Sequence, residues 1–174
     1  DIHGVVNCAG IAAAMKVLSR GGPHPLGAFE RVLKINVVGT FNVLRLVAER
    51  MSQQEPVNED GERGVIINIA SVAAYDGQQG QGSYSASKGG IVAMTLPLAR
   101  ELGPRGVRVL TICPGIMWTP MLAKLPEPVR KQLEDSVRLS PRNIFLRRSL
   151  NCRLCTPSAW VSLRTTLTWL RLLW

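Results

Sequence analysis

The stretch from Val65 to Gly115 constrains the fold more than any other part of this 174-residue chain. Its opening run, Val65 to Ile69, has the β-branched density of a buried strand and delivers Ser71 to its carboxyl end. A loop of small residues, Asp76-Gly-Gln-Gln-Gly-Gln-Gly82, leads into a helix that carries Tyr84 and Lys88. A second strand, Val107 to Ile112, stops at Pro114-Gly115. Strand, helix and strand in succession form a βαβ unit, whose strands are parallel. The expected class is α/β, with Ser71, Tyr84 and Lys88 where open α/β sheets place their ligands.

Tyr84 and Lys88 stand one helical turn apart and share a face. A free phenol titrates near pH ~10 and is a poor proton shuttle at neutrality, but a neighbouring ammonium favours the phenolate. A serine hydroxyl aimed at the same point stabilises charge building on a substrate oxygen. The trio suits moving a proton on or off an alcohol or carbonyl while a cofactor takes the hydride. An exposed helical Tyr–Lys pair would be the plain alternative. The strand end before it and the Pro-Gly turn after the next strand favour chemistry.

Asn7-Cys8-Ala9-Gly10, Asn36, Ser71, Tyr84-Ser-Ala-Ser-Lys88 and Pro114-Gly115 together resemble the signature of the short-chain dehydrogenase/reductase family. The wording around Asn7, Gly39, Asn58 and Ser87 resembles its type-2 3-hydroxyacyl-CoA dehydrogenase branch. The resemblance covers residues 1 to 135 or so, and implies a doubly wound, Rossmann-like parallel sheet. It implies that Tyr84 is the general acid/base, that Lys88 lowers its pKa and binds ribose hydroxyls, and that Ser71 orients the substrate oxygen. Asn36 would be the family's helix-kinking asparagine in the proton relay. Asn7, Ala9, Gly10, Pro114, Gly115 and Thr119, with Tyr84 and Lys88, would line the cofactor, and Asn7 would also stabilise the central sheet. The implied cofactor is NAD, the substrate a 3-hydroxyacyl-CoA, and the assembly a homotetramer. A hydroxysteroid or a simple alcohol is the alternative substrate.

Taken in order, Val5-Val6-Asn7 reads as the end of a buried strand, and residues 11 to 25 as loop. From Leu26 to Met51 apolar residues recur at helical spacing, with Asn36 in their midst, where an unsatisfied amide would cost a few kcal/mol. Gln53 to Gly64 reads as a solvated excursion. Gln78 and Gln81 are candidates for substrate or cofactor contact, and Ser83 or Ser85 for packing around the helix start. Met121, Leu122, Leu125, Val129 and Leu133 put an apolar stripe on a helical lid across Pro120 to Val137.

The net charge of +9 invites a nucleic-acid or membrane partner until its distribution is examined. Residues 1–135 hold 14 Lys and Arg and all 12 acidic residues, whereas residues 136–174 hold seven Arg and no acid. The basicity belongs to the tail, so neither nucleic acid nor membrane is expected as a partner. Cys152-x-x-Cys155 has metal-ligand spacing, but four ligands are needed and the only histidines are His3 and His24; no metal is expected. Four unpaired-looking cysteines suit a reducing compartment, a bacterial cytoplasm or a mitochondrial matrix.

Two features depart from the family's pattern. No T-G-x-x-x-G-x-G loop precedes Val5, so the segment that cradles a dinucleotide pyrophosphate on a helix N-terminus is not in this sequence. After Arg138 the family wording stops. The expected organisation is therefore a partial dehydrogenase domain over 1–137 and an Arg/Trp-rich tail over 138–174 that reads as non-native or frameshifted. The expected function is an NAD-dependent alcohol–ketone oxidoreductase; the rival is an inactive fragment or pseudo-enzyme.

Overall fold

Two parallel pairings build the sheet on which everything else is mounted. Strand β1 (Gly4–Asn7) lies beside β4 (Gly64–Ile69), and β4 beside β5 (Val107–Ile112), giving the order β1-β4-β5. The computed structural model describes residues 1–115 together with Glu127 and Lys131. Thr119, the lid stripe and the tail, 138–174, lie outside the described residues.

Between β1 and β4 come a small antiparallel hairpin, β2 (Leu18–Ser19) with β3 (Gly22–Pro23), and a long helical run. That run is α1 (Leu26–Leu33), a π-helical turn (Lys34–Val38) and α2 (Gly39–Ser52). Helix α3 (Gly82–Leu102) crosses from β4 to β5, so the parallel βαβ unit expected from the sequence is present. The hairpin occupies part of what reads as loop between residues 11 and 25.

Register explains the core. Val5, Ile66 and Val109 are paired across the three strands, and this row packs against Leu44, Ala48 and Met51 of α2 and Leu102 of α3. Burying each large side chain in this cluster contributes roughly 1.5–3 kcal/mol. Two residues further along the strands, on the same face, the row turns polar: Asn7, Asn68 and Thr111. Thr111 meets Thr95 of α3 hydroxyl to hydroxyl at 2.5 Å. The apolar half of the sheet thus builds stability, and its polar half marks the approach to the strand ends.

Two expectations are corrected. Val6 is 55% exposed, because β1 has a single strand partner among the described residues and its outward face meets none of the core. Gln54, within the stretch read as solvated, is only 6% exposed. Its side-chain amide donates to the Ile2 carbonyl at 2.8 Å and accepts from the Ile2 N–H, closing the chain's start onto the end of α2. At the same end of the sheet, Arg63 donates to the Gln54 carbonyl at 2.9 Å and the Arg105 carbonyl at 3.3 Å. Its backbone N–H reaches the Gly106 carbonyl at 2.7 Å. Gly106 holds φ of 73°, a left-handed turn that suits glycine. Among the described residues no helix is long and apolar enough to cross a membrane.

Candidate active site

The Lys88 ammonium sits over the carboxyl end of the central strand. Its Nζ donates to the carbonyl of Ile69, the last residue of β4, at 2.7 Å. It also lies 5.7 Å from the centre of the Tyr84 ring, one turn back on α3. Lys88 is only 5% exposed. Burial pulls its pKa below the ordinary value, partly countered by the neighbouring thiols of Cys113 and Cys8. Those two cysteines follow β5 and β1, so the cation is bracketed by the ends of all three strands.

Two residues past Ile69, Ser71 has extended backbone (φ −167°, ψ 156°) and caps the short 3-10 turn Val72–Ala74. Its Oγ accepts from the Ala73 N–H at 3.2 Å, which commits a lone pair and leaves the hydroxyl proton to donate. The Val72 N–H donates to the Pro114 carbonyl at 3.0 Å, joining the turn after β4 to the turn after β5. The Ser71 N–H is directed at the thiol of Cys113. Burial nonetheless pushes that thiol above its ordinary pKa, with the Ser71 N–H and Lys88 pulling the other way.

Asn36 is fully buried inside the π-helical turn. Its Oδ1 accepts from the Ile11 N–H at 2.8 Å, and its Nδ2 donates to the Ile11 carbonyl at 2.9 Å. The amide therefore mimics a strand partner for the loop after β1. Its second Nδ2 proton goes to Ser87 Oγ at 3.0 Å, and Ser87 in turn donates to the Tyr84 carbonyl at 2.7 Å. An extra residue per turn is the usual signature of a π bulge, which often marks a functional position.

At the end of β1, Asn7 Nδ2 donates to Asn68 Oδ1 at 2.9 Å, a side-chain bond between neighbouring strands. Ala9 is exposed and Gly10 partly covered. A Cβ at Gly10 would stand 3.3 Å from Asn36 Oδ1 and 3.7 Å from Lys88 Nζ. The nearer approach would require the Asn36 amide to give by a few tenths of an ångström, which favours glycine at this position. Pro114 is partly buried and Gly115 exposed at the end of β5. Among the described residues no group of three or more His, Cys, Asp and Glu is placed to hold a metal.

Asn36, Lys88, Tyr84, Ser71, Gly10 and Pro114 are thus linked by elements meeting at one edge of the sheet. In the loop before α3, Gln81 Oε1 accepts from the Gln78 backbone N–H at 2.9 Å. Ser83 is buried, as expected of a residue packed around the helix start. Sequence reasoning passed over Ser87 and Asn68. Ser87 had a signal, since it stands at i+3 from Tyr84 on a helix; Asn68 had one in being an amide inside an apolar strand.

The short chain dehydrogenase family model matches residues 1–130. The 3-hydroxyacyl-CoA dehydrogenase type-2 of Homo sapiens is 58% identical over 139 residues, 79% of this chain and 53% of that protein. Its Drosophila melanogaster counterpart is 55% identical over 139 residues, with 79% and 54% covered. The crystal structure of 3-hydroxyacyl-CoA dehydrogenase type-2 from Mycobacterium avium superposes with a TM-score of 0.67 at 39% identity, covering 73% of this chain and 50% of that one. The chain spans about half the length of the curated relatives it matches. A parallel sheet flanked by helices, a buried lysine over its strand ends and the family match to residues 1–130 agree: the chain belongs to the short chain dehydrogenase family.

Proposed function

We propose that this chain carries the proton-handling half of an NAD-dependent dehydrogenase that interconverts a 3-hydroxyacyl-CoA and its 3-keto counterpart. The observation that carries it is the Lys88 ammonium, bonded to the Ile69 carbonyl two residues before Ser71 and 5.7 Å from the centre of the Tyr84 ring. In this reading Ser71 donates its free proton to the substrate oxygen. Tyr84 takes the alcohol proton or returns it, and Lys88 supplies the positive charge that favours the phenolate. Lys88 spends one N–H on Ile69, so its remaining protons are available to ribose hydroxyls. A nicotinamide held against Cys8-Ala9-Gly10 and Pro114-Gly115 would exchange the hydride with the carbinol carbon. The small residues there suit the close approach of a flat ring.

The acyl-CoA assignment is supported by relatives whose names carry that activity at 55–58% identity. NAD and the homotetramer rest on the resemblance in the residues. The tetramer is further supported by exposed Val38, Phe41 and Leu46 along the α1–α2 run, since apolar side chains clustered on a surface mark contact faces. A reducing compartment, bacterial cytoplasm or mitochondrial matrix, fits Cys8 and Cys113 being free thiols.

A second reading, a chain that keeps the site but does not turn over, is favoured by β1 having one strand partner among the described residues and by exposed Val6. A thermal melt with and without NADH, followed by a 3-hydroxyacyl-CoA oxidation assay, separates the two. A midpoint that rises with NADH, together with turnover, is the expected result. An NADH-insensitive melt without turnover refutes the first reading.

A further inference from the structure

We infer that Ser87 is a positioning residue: its hydroxyl couples Asn36 to the turn of α3 that carries Tyr84 and Lys88, and so sets the catalytic pair in register with the π-helical turn. The inference rests on the dehydrogenase reading. Ser87 itself touches neither substrate nor cofactor in that reading; it acts through its neighbours.

The hydrogen-bond count leaves one arrangement. An asparagine amide has two donors and a carbonyl acceptor, and a serine has one donor. Asn36 Oδ1 is held by the Ile11 N–H, which fixes which way round the amide lies. Both its N–H groups are then spent, on the Ile11 carbonyl and on Ser87 Oγ. Ser87, having accepted from Asn36, sends its only proton to the Tyr84 carbonyl. The chain of donors therefore runs one way, from the π turn to the backbone of the catalytic residue. Asn36 and Ser87 are both fully buried, so no solvent competes for either group.

Three elements are locked by this one network: the loop after β1, the π turn and the start of α3. Gly10 lies within the same contact, its Cβ position 3.3 Å from Asn36 Oδ1 and 3.7 Å from Lys88 Nζ. A rotation of α3 about its axis would move Tyr84 and Lys88 together, and Ser87, lying between them in sequence, faces inward to resist it. An alanine there leaves one Asn36 N–H without an acceptor in a dry site, and the helix loses its side-chain tie to the bulge.

The test uses the full chain with asparagine labelled with nitrogen-15, in the unsubstituted form and as Ser87→Ala and Ser87→Thr. Solvent exchange of the Asn36 side-chain amide is followed by NMR, and alcohol oxidation by steady-state kinetics. In Ser87→Ala we expect one Asn36 amide proton to exchange roughly tenfold faster or more. We also expect kcat to fall roughly ten- to a hundredfold with KM changed less than about twofold. Ser87→Thr, which keeps the hydroxyl, should recover both. Unchanged exchange in Ser87→Ala overturns the coupling. Faster exchange with full kcat overturns the positioning role and leaves a structural bond. An unsubstituted chain that oxidises no alcohol overturns the dehydrogenase reading and the kinetic role with it, while the exchange data still decide whether Ser87 holds Asn36.

Discussion

Lys88 Nζ and the carbonyl of Ile69 are 2.7 Å apart, so helix α3 is anchored by a charge-assisted bond to the strand that presents Ser71. Burial holds the Lys88 pKa below 10.5. The unfolded chain therefore binds that proton more tightly than the folded one, and the buried ammonium lowers stability at neutral pH. The penalty fades as pH rises through the depressed folded value towards 10.5. Lys88→Met should abolish most turnover, by about a hundredfold or more, while melting at neutral pH no lower than the parent. The two thermal midpoints should draw together, in the parent's favour, as pH approaches 10.5. A variant that melts well below the parent at neutral pH would show the Ile69 bond outweighing the burial cost.

Asn36→Ala removes the partner of both polar groups of Ile11 and of Ser87 Oγ at a fully buried position. We expect a loss of about 2–4 kcal/mol in urea unfolding. Asn36→Asp should recover the bond from the Ile11 N–H but set a carboxylate against the Ile11 carbonyl, so it should rescue little. An Asn36→Ala chain as stable as the parent would mean that water takes over all three bonds.

Cys8 is exposed and Cys113 partly buried, and burial raises the Cys113 thiol's pKa. Less thiolate means slower alkylation. With iodoacetamide at mildly alkaline pH, peptide mass spectrometry should find Cys8 modified at least about tenfold faster than Cys113. Raising the pH should narrow the gap. NADH should slow both, since the two thiols flank Lys88. Equal rates would place Cys113 in a more open setting than its burial implies.

Gly106 combines a φ of 73° with a backbone packed against Gly61 and the Arg63 guanidinium. An alanine there meets the Gly61 carbonyl directly and pays left-handed strain of about 1 kcal/mol besides. Gly106→Ala should cost about 2 kcal/mol or more, read by denaturant midpoint. Gly82→Ala is the control: nothing lies within 4 Å of its Cβ position, and a helical residue there should be neutral or stabilising.

What the sequence made legible follows from how local each signal is. Ser71, Tyr84 and Lys88 sit on one continuous βαβ unit, where strand type, helical spacing and turn residues speak within a short window. Asn36 stood out because an amide amid Phe29, Val32, Val37 and Phe41 demands a partner. Its actual partners, Ile11 and Ser87, lie 25 and 51 residues away in sequence, and no periodicity reports such a contact. Val6 misled because a β-branched run looks alike whether one face or both are covered. Gln54 misled because a polar residue among Glu, Pro and Asn reads as solvent-facing. Only the fold shows its amide closed on Ile2.

The π-helical turn at Lys34–Val38 has a consequence for how this helix tolerates insertion and deletion. A π turn holds one residue more than the regular helix needs, and the backbone stays right-handed α where α1 and α2 join it. Deleting one residue between Lys34 and Val38 would restore ordinary winding with α1 and α2 still in phase, because a π turn absorbs its extra residue locally. A deletion between Gly39 and Val43 in α2 would instead shift the phase on either side of it by about 100°. A phase shift of that size would take Asn36 away from the Ile11 loop, or else take Leu44, Ala48 and Met51 out of the core. The frame across this helix is therefore uneven in its tolerance. The exposed hairpin before it can change length at little cost, while a one-codon loss between Gly39 and Val43 separates the Asn36 network from the core that anchors α2.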